Sequence, residues 1–73
     1  MAQLNHEDYD RLERAVARGH RIAVLRRGTE YIVIPLSLST RQGREAIEAR
    51  NPTTGDSMTL YVDELESIEM VSQ

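Results

Sequence analysis

The stretch "REAIEAR", Arg44–Arg50, decides the fold. By propensity its glutamates and alanines favour a helix. Its shortness and its flanks favour a strand. Before it stands "TRQG" (Thr40–Gly43), a loop with a glycine. After it stands "NPTTGD" (Asn51–Asp56). The Asn51-Pro52 pair disfavours helix at Asn51, and Thr54-Gly55-Asp56 supplies the positive-φ position of a tight hairpin. We therefore read Arg44–Arg50 as a strand; as a helix it would exclude a β-barrel.

Downstream, "SMTLYV" (Ser57–Val62) alternates, with Met58, Leu60 and Val62 on one face and Thr59 and Tyr61 on the other. That is the period of a half-buried strand. "DELES" (Asp63–Ser67) is too short for an α-helix and suits one 3-10 turn. "SIEMV" (Ser67–Val71) reads as the last strand, with Ile68 and Met70 on one face.

Upstream, "EYIVIPLSLS" (Glu30–Ser39) is the most strand-like run of the chain. Ile32, Ile34, Leu36 and Leu38 share one face; Tyr31, Val33 and Pro35 share the other. Pro35 has no N–H to donate, so the strand lies at an edge, bends or bulges there. "HRIAVLRR" (His20–Arg27) is a further strand, joined to the next by "RGTE" with Gly28 at its tip.

The N-terminal part has the period of a helix, over about residues 6–18. Asn5 is its N-cap, and Glu7 and Asp8 put negative charge at the positive end of the dipole. Leu4 and Tyr9 have the spacing of a hydrophobic staple. Tyr9, Leu12 and Val16, with Ala15 beside them, form one apolar stripe. Arg18 in the last turn and Gly19 beyond it end the helix.

The predicted fold is thus mainly β within the α+β class. An N-terminal α-helix precedes a five-stranded, strongly bent antiparallel barrel of Sm-like or SH3-like kind, with a 3-10 turn before the last strand. Five short strands cannot enclose a sandwich core, but a bent barrel hides its edges and uses the helix as a lid. The chain of 73 residues is one domain, helix about 6–18 and barrel about 20–71. At this size only about 60% of the unfolded surface is buried, so stability is modest or supported by a partner.

With this order of elements, Arg11–Val71 resembles the core of a WYL domain. Pro35-Leu36 match the family's Pro-Leu, Gly43 its glycine, and Tyr61-Val62-Asp63-Glu64-Leu65 its elbow. Glu45-Ala46-Ile47 stands where the family has Trp-Tyr-Leu, and Glu64 stands where the elbow has arginine. The resemblance implies an Sm-like barrel of the kind found in bacterial transcription regulators. The aromatic and basic groups through which that family is thought to contact nucleic acid or nucleotides are replaced.

Charge bounds the function. The net charge is -3, and all nine basic residues are arginine. Residues 1–27 carry six arginines and four acids; residues 51–73 carry five acids and no base. An acidic chain is not a general phosphate binder. The absence of cysteine excludes disulfides and thiolate metal sites. His6 and His20, at opposite ends of the helix, do not supply the converging ligands that zinc needs. No serine has a histidine and an acid arranged around it, and Glu45 and Glu48 point to opposite faces of a strand. The acids at Asp63, Glu64, Glu66 and Glu69 lack calcium-loop spacing and read as a solvated rim.

The expectation is a non-enzymatic, cofactor-free binding or regulatory module, cytoplasmic, without a membrane segment. Its partner is a protein or its own copy. The alternative is a nucleic-acid binder, RNA above all, using Arg11, Arg14, Arg18, Arg21, Arg26 and Arg27 as one basic face. Those arginines can equally pair with neighbouring helix acids or with the acidic C-terminal strands.

Overall fold

The computed structural model describes residues 5–71. Helix α1 (His6–Arg18) is followed by β1 (Ile22–Arg26), β2 (Thr29–Arg41), β3 (Arg44–Arg50), β4 (Ser57–Tyr61), a 3-10 turn (Val62–Glu64) and β5 (Leu65–Met70). All pairings are antiparallel, in the order β4-β3-β2-β1-β5. Arg44–Arg50 is a strand because it is paired on both sides, by β2 and by β4. Those two ladders supply more hydrogen bonds than one isolated helical turn could, and tertiary pairing overrides propensity.

Helix α1 has the expected bounds, and its start is tied twice. The Asn5 side chain accepts from the Asp8 N–H at 2.8 Å, and the Asp8 carboxylate accepts from the Asn5 N–H at 3.2 Å. Together they form a capping box. Gly19 ends the helix at φ 68°, the left-handed region in which a side chain is strained. The staple partner Leu4 lies outside the described residues.

β2 carries the bend. Its first part pairs with β1, from Thr29 to Val33, and its second with β3, from Ile34 to Arg41. The register shifts between Pro35 and Ser37, which leaves Leu36 as an extra residue without a cross-strand partner. Pro35 cannot donate to a ladder, so the bulge falls where a hydrogen bond is already missing.

The bulge corrects one sequence expectation. Unbroken alternation put Ile32, Ile34, Leu36 and Leu38 on one face. In the fold Val33 and Pro35 point inward before the bulge, and Leu38 points inward after it. Ile32 and Leu36 stay outside, 40% and 46% exposed. One inserted residue shifts the period-two pattern by one, so inside and outside exchange.

Several boundaries also move: β1 runs Ile22–Arg26 rather than His20–Arg27, and β2 runs Thr29–Arg41 rather than Glu30–Ser39. The 3-10 turn begins at Val62 rather than Asp63, and β5 begins at Leu65 rather than Ser67. Leu65 is fully buried and pairs with Arg26, which requires extended backbone there. The loop expected at Thr40–Gly43 is only a two-residue turn, Gln42-Gly43.

The core gathers Leu12 and Ala15 of α1 with Ile22, Val24, Val33, Ile47, Ala49, Leu60, Val62, Leu65 and Ile68. Tyr9, Val16, Leu38 and Met58 pack around it. The helix covers the inner side of the sheet, against β2 and β5.

Two hairpins place a non-glycine residue at positive φ: Arg27 at 52° before Gly28, and Gln42 at 54° before Gly43. Both central residues of each turn are left-handed, as a type I′ hairpin requires. Asparagine tolerates this conformation better than glutamine. Gln42→Asn is expected to stabilise the fold by about 0.5–1 kcal/mol, read as a raised urea midpoint at constant slope. An unchanged or lowered midpoint would contradict the turn assignment.

Candidate functional site

The six arginines of the N-terminal third occupy separate places. Arg11 donates to Asp8 at 2.9 Å within the first turns of the helix. Arg26 reaches Glu64 at 3.2 Å, from β1 to the 3-10 turn. Arg14 and Arg18 are exposed on α1, Arg21 is exposed just before β1, and Arg27 sits in the hairpin turn at the far end of that strand. These four have no carboxylate within 4.0 Å among the described residues. Five β1 residues separate Arg21 from Arg27, a span of about 20 Å at the strand rise. Arg14, Arg18 and Arg21 stay near the helix C-terminus, where the dipole favours cations.

The C-terminal acids are largely engaged. Arg44 grips Asp63 with two donors, at 3.0 and 2.7 Å, and reaches Glu64 at 3.2 Å. Its guanidinium also lies 3.9 Å from the centre of the Tyr61 ring. Arg26, Glu64, Arg44 and Asp63 therefore form one chain of ion pairs tying β1, the 3-10 turn and β3 together. Glu66 accepts from the Gly28 N–H at 3.2 Å, and so braces the first hairpin.

A second network covers the outer side of β2, β3 and β4. Glu48 accepts from Thr59 at 3.0 Å and from Arg41 at 2.7 Å, with the Ser39 hydroxyl at 3.5 Å. Tyr61 stands directly across the ladder from Ala46, which is fully buried although it lies outside the core cluster. This half of the outer surface is closed by its own side chains.

Glu45 points the other way. It accepts from the Tyr9 hydroxyl at 2.6 Å, joining α1 to β3. The opposite orientation of Glu45 and Glu48 follows from strand alternation. Their partners were not legible, because they come from strands and a helix distant in sequence. The acidic elbow, read as a solvated rim, instead holds Arg44 through Asp63 and Glu64.

These contacts set the pH response. The hydrogen bond to Glu45, then burial, then the charge of Glu45 push the Tyr9 hydroxyl up to about 12 from 10.0. The raised folded value means that its contribution is complete below the unfolded pKa and is lost as pH rises through about 12. Tyr9→Phe is expected to cost about 0.5–1.5 kcal/mol at neutral pH and to flatten this alkaline loss. Denaturant titrations of both proteins from neutral pH upward check it. A parallel decline in the two would contradict the assignment. On the acid side, Thr59 and then Arg41 hold the Glu48 carboxyl low against its burial, and Arg44 holds Asp63 low. Their contribution is present above the ordinary carboxylate range and fades as pH falls through the depressed values.

The loop Asn51–Asp56 is closed on itself. The Asn51 side chain accepts from the N–H groups of Thr53 and Thr54 at 2.8 and 3.2 Å. Its backbone accepts from Gly55 and donates to Asp56, each at 2.8 Å. The loop is a hairpin turn between β3 and β4, and these bonds occupy its principal polar groups.

Among the described residues no group of three or more His, Asp or Glu is placed to hold a metal ion. No described helix is long and apolar enough to cross a membrane. No protein-family model matches the chain, and no curated protein matches it.

Proposed function

We propose that this chain is a non-catalytic binding module that engages a protein partner or a second copy of itself. The observation that carries the reading is the outer face of β1 and of β2 from Ile32 to Leu36. Ile32 and Leu36 are large, apolar and well exposed there, and Ala23, Leu25 and Ile34 are only partly covered. A contiguous apolar sheet face of this kind marks an interaction surface. Within the proposal we keep the WYL-type, Sm-like barrel as the fold relationship, and bacterial cytoplasm as the setting. The helix-first order and Pro35-Leu36 at the bulge support that relationship.

The second reading is nucleic-acid binding. Arg14, Arg18, Arg21 and Arg27, free of ion pairs among the described residues, favour it. The aromatics weigh against it. Arg44 covers Tyr61, and Tyr9 is engaged with Glu45, leaving Tyr31 as the exposed ring for stacking.

Fluorescence anisotropy with labelled single-stranded RNA and DNA at two salt concentrations separates the readings. The binding-module reading expects no tight complex with either. A tight complex that weakens steeply with salt, and weakens uniformly on Arg14→Ala and Arg21→Ala, would replace it with the second.

A further inference from the structure

The two halves of the outer sheet surface differ in kind. The half formed by β3, β4 and the end of β2 is closed by Glu48 with its three partners and by Arg44 over Tyr61. The half formed by β5, β1 and the start of β2 has no such cover. The ladders put its side chains in three rows. In the middle row Ala23 stands beside Ile32, with Glu69 on the β5 side. In one outer row Leu25 stands between Ser67 and Glu30. In the other, Ile34 stands beside Arg50, and the register of β1 carried back one residue puts Arg21 on its other side. One end of the apolar face is therefore acidic at Glu30, and the other is basic at Arg21 and Arg50. None of the three has an opposite charge within 4.0 Å among the described residues.

We propose that this face is closed by the same face of a second copy, about a two-fold axis running across the strands through the middle row. Such an axis exchanges the two outer rows. Each Glu30 then comes over Ile34 of the other chain, between that chain's Arg21 and Arg50, while Ile32 and Ala23 meet their own counterparts. A surface that complements itself under a two-fold operation is the requirement for an isologous dimer. A generic apolar partner would not need the two ends of opposite sign. Glu69 lies on the axis at the β5 edge and faces its own copy, the one unfavourable contact of the arrangement.

This inference rests on the binding-module reading and names the partner as this chain itself. Sedimentation equilibrium over a wide concentration range tests it, with circular dichroism confirming that each variant is folded. The wild type is expected to be a dimer. Ile32→Glu, which puts a charge on the axis of an apolar contact, is expected to weaken association by at least about 30-fold. Arg50→Glu is expected to weaken it by about 10-fold, Glu30→Arg similarly, and the double exchange to recover most of the loss. Glu69→Gln is expected to tighten it. A monomeric wild type would overturn the proposal while leaving a different protein partner open. A dimer indifferent to Ile32→Glu would overturn this face and keep self-association. Two charge variants whose losses simply add in the double exchange would overturn the two-fold arrangement.

Discussion

Leu12→Ala is expected to remove a large share of the chain's stability. Leu12 and Ala15 are the fully buried residues of α1. Leu12 is the larger, and it sits among Ile22, Val24, Ile47 and Leu65 in the core cluster. Truncating a buried leucine removes its transfer energy and leaves a cavity, together about 2–5 kcal/mol. A single domain of this length has only about 4–11 kcal/mol in total. The helix is also short, so it depends on this face rather than on its own propensity. Without the leucine it packs less tightly over the inner side of the sheet. Urea unfolding followed by far-ultraviolet circular dichroism gives the value. A loss below about 1 kcal/mol would mean that the helix is not the lid of this core.

Deletion of Leu36 is expected to do comparable damage by a different route. Leu36 is the extra residue of the β2 bulge and is exposed, so on burial alone its loss would be mild. Its removal instead restores unbroken alternation along β2. Val33, Pro35 and Leu38 then all stay inside by plain alternation, because the pairs Pro35–Ala49 and Ser37–Glu48 become consecutive. What is lost is the bend and added twist of the bulge, without which the β1-paired and β3-paired parts of β2 no longer curve around one core. The expected result is a protein without a sharp cooperative transition and with enhanced binding of a hydrophobic dye. Leu36→Ser keeps the residue count and is expected to stay within about 0.5 kcal/mol of the wild type, as exposed substitutions do. If deletion and substitution behave alike, the bulge is not what turns the strand.

The two expectations depend on different kinds of information. The helix could be read from the sequence because everything that makes it is local. Asn5 caps it, Gly19 ends it, and Leu12, Ala15 and Val16 recur on one face within a few residues of each other. The five strands were legible for the same reason, including Arg44–Arg50, whose flanks outweighed its propensity. The bulge was signalled at Pro35, but its effect on which side chains face inward was not. Periodicity assumes that the count is unbroken, and only pairing with β3 reveals where a residue drops out.

The candidate sites show the same division. The six arginines were legible as a basic run, but a run in sequence is not a face in space. Arg26 leaves it for Glu64, 38 residues away along the chain, and Arg11 is absorbed by Asp8 one turn away. Arg50 and Arg21, neighbours on either side of Ile34, lie far apart in sequence and had no common signature. Arg44 came to Tyr61 and Asp63 through the β3–β4 ladder.

By itself the sequence determined the element types, their order, the helix caps and the hairpin at Asn51–Asp56. Each of these is set by backbone preferences and side-chain bonds spanning a few residues. The tertiary structure alone decided the inside and outside of β2, the partners of Glu45, Glu48 and Arg44, and the bare apolar face with opposite charges at its ends. Those depend on strand register, a long-range quantity that one inserted residue changes and that hydrophobic periodicity cannot count.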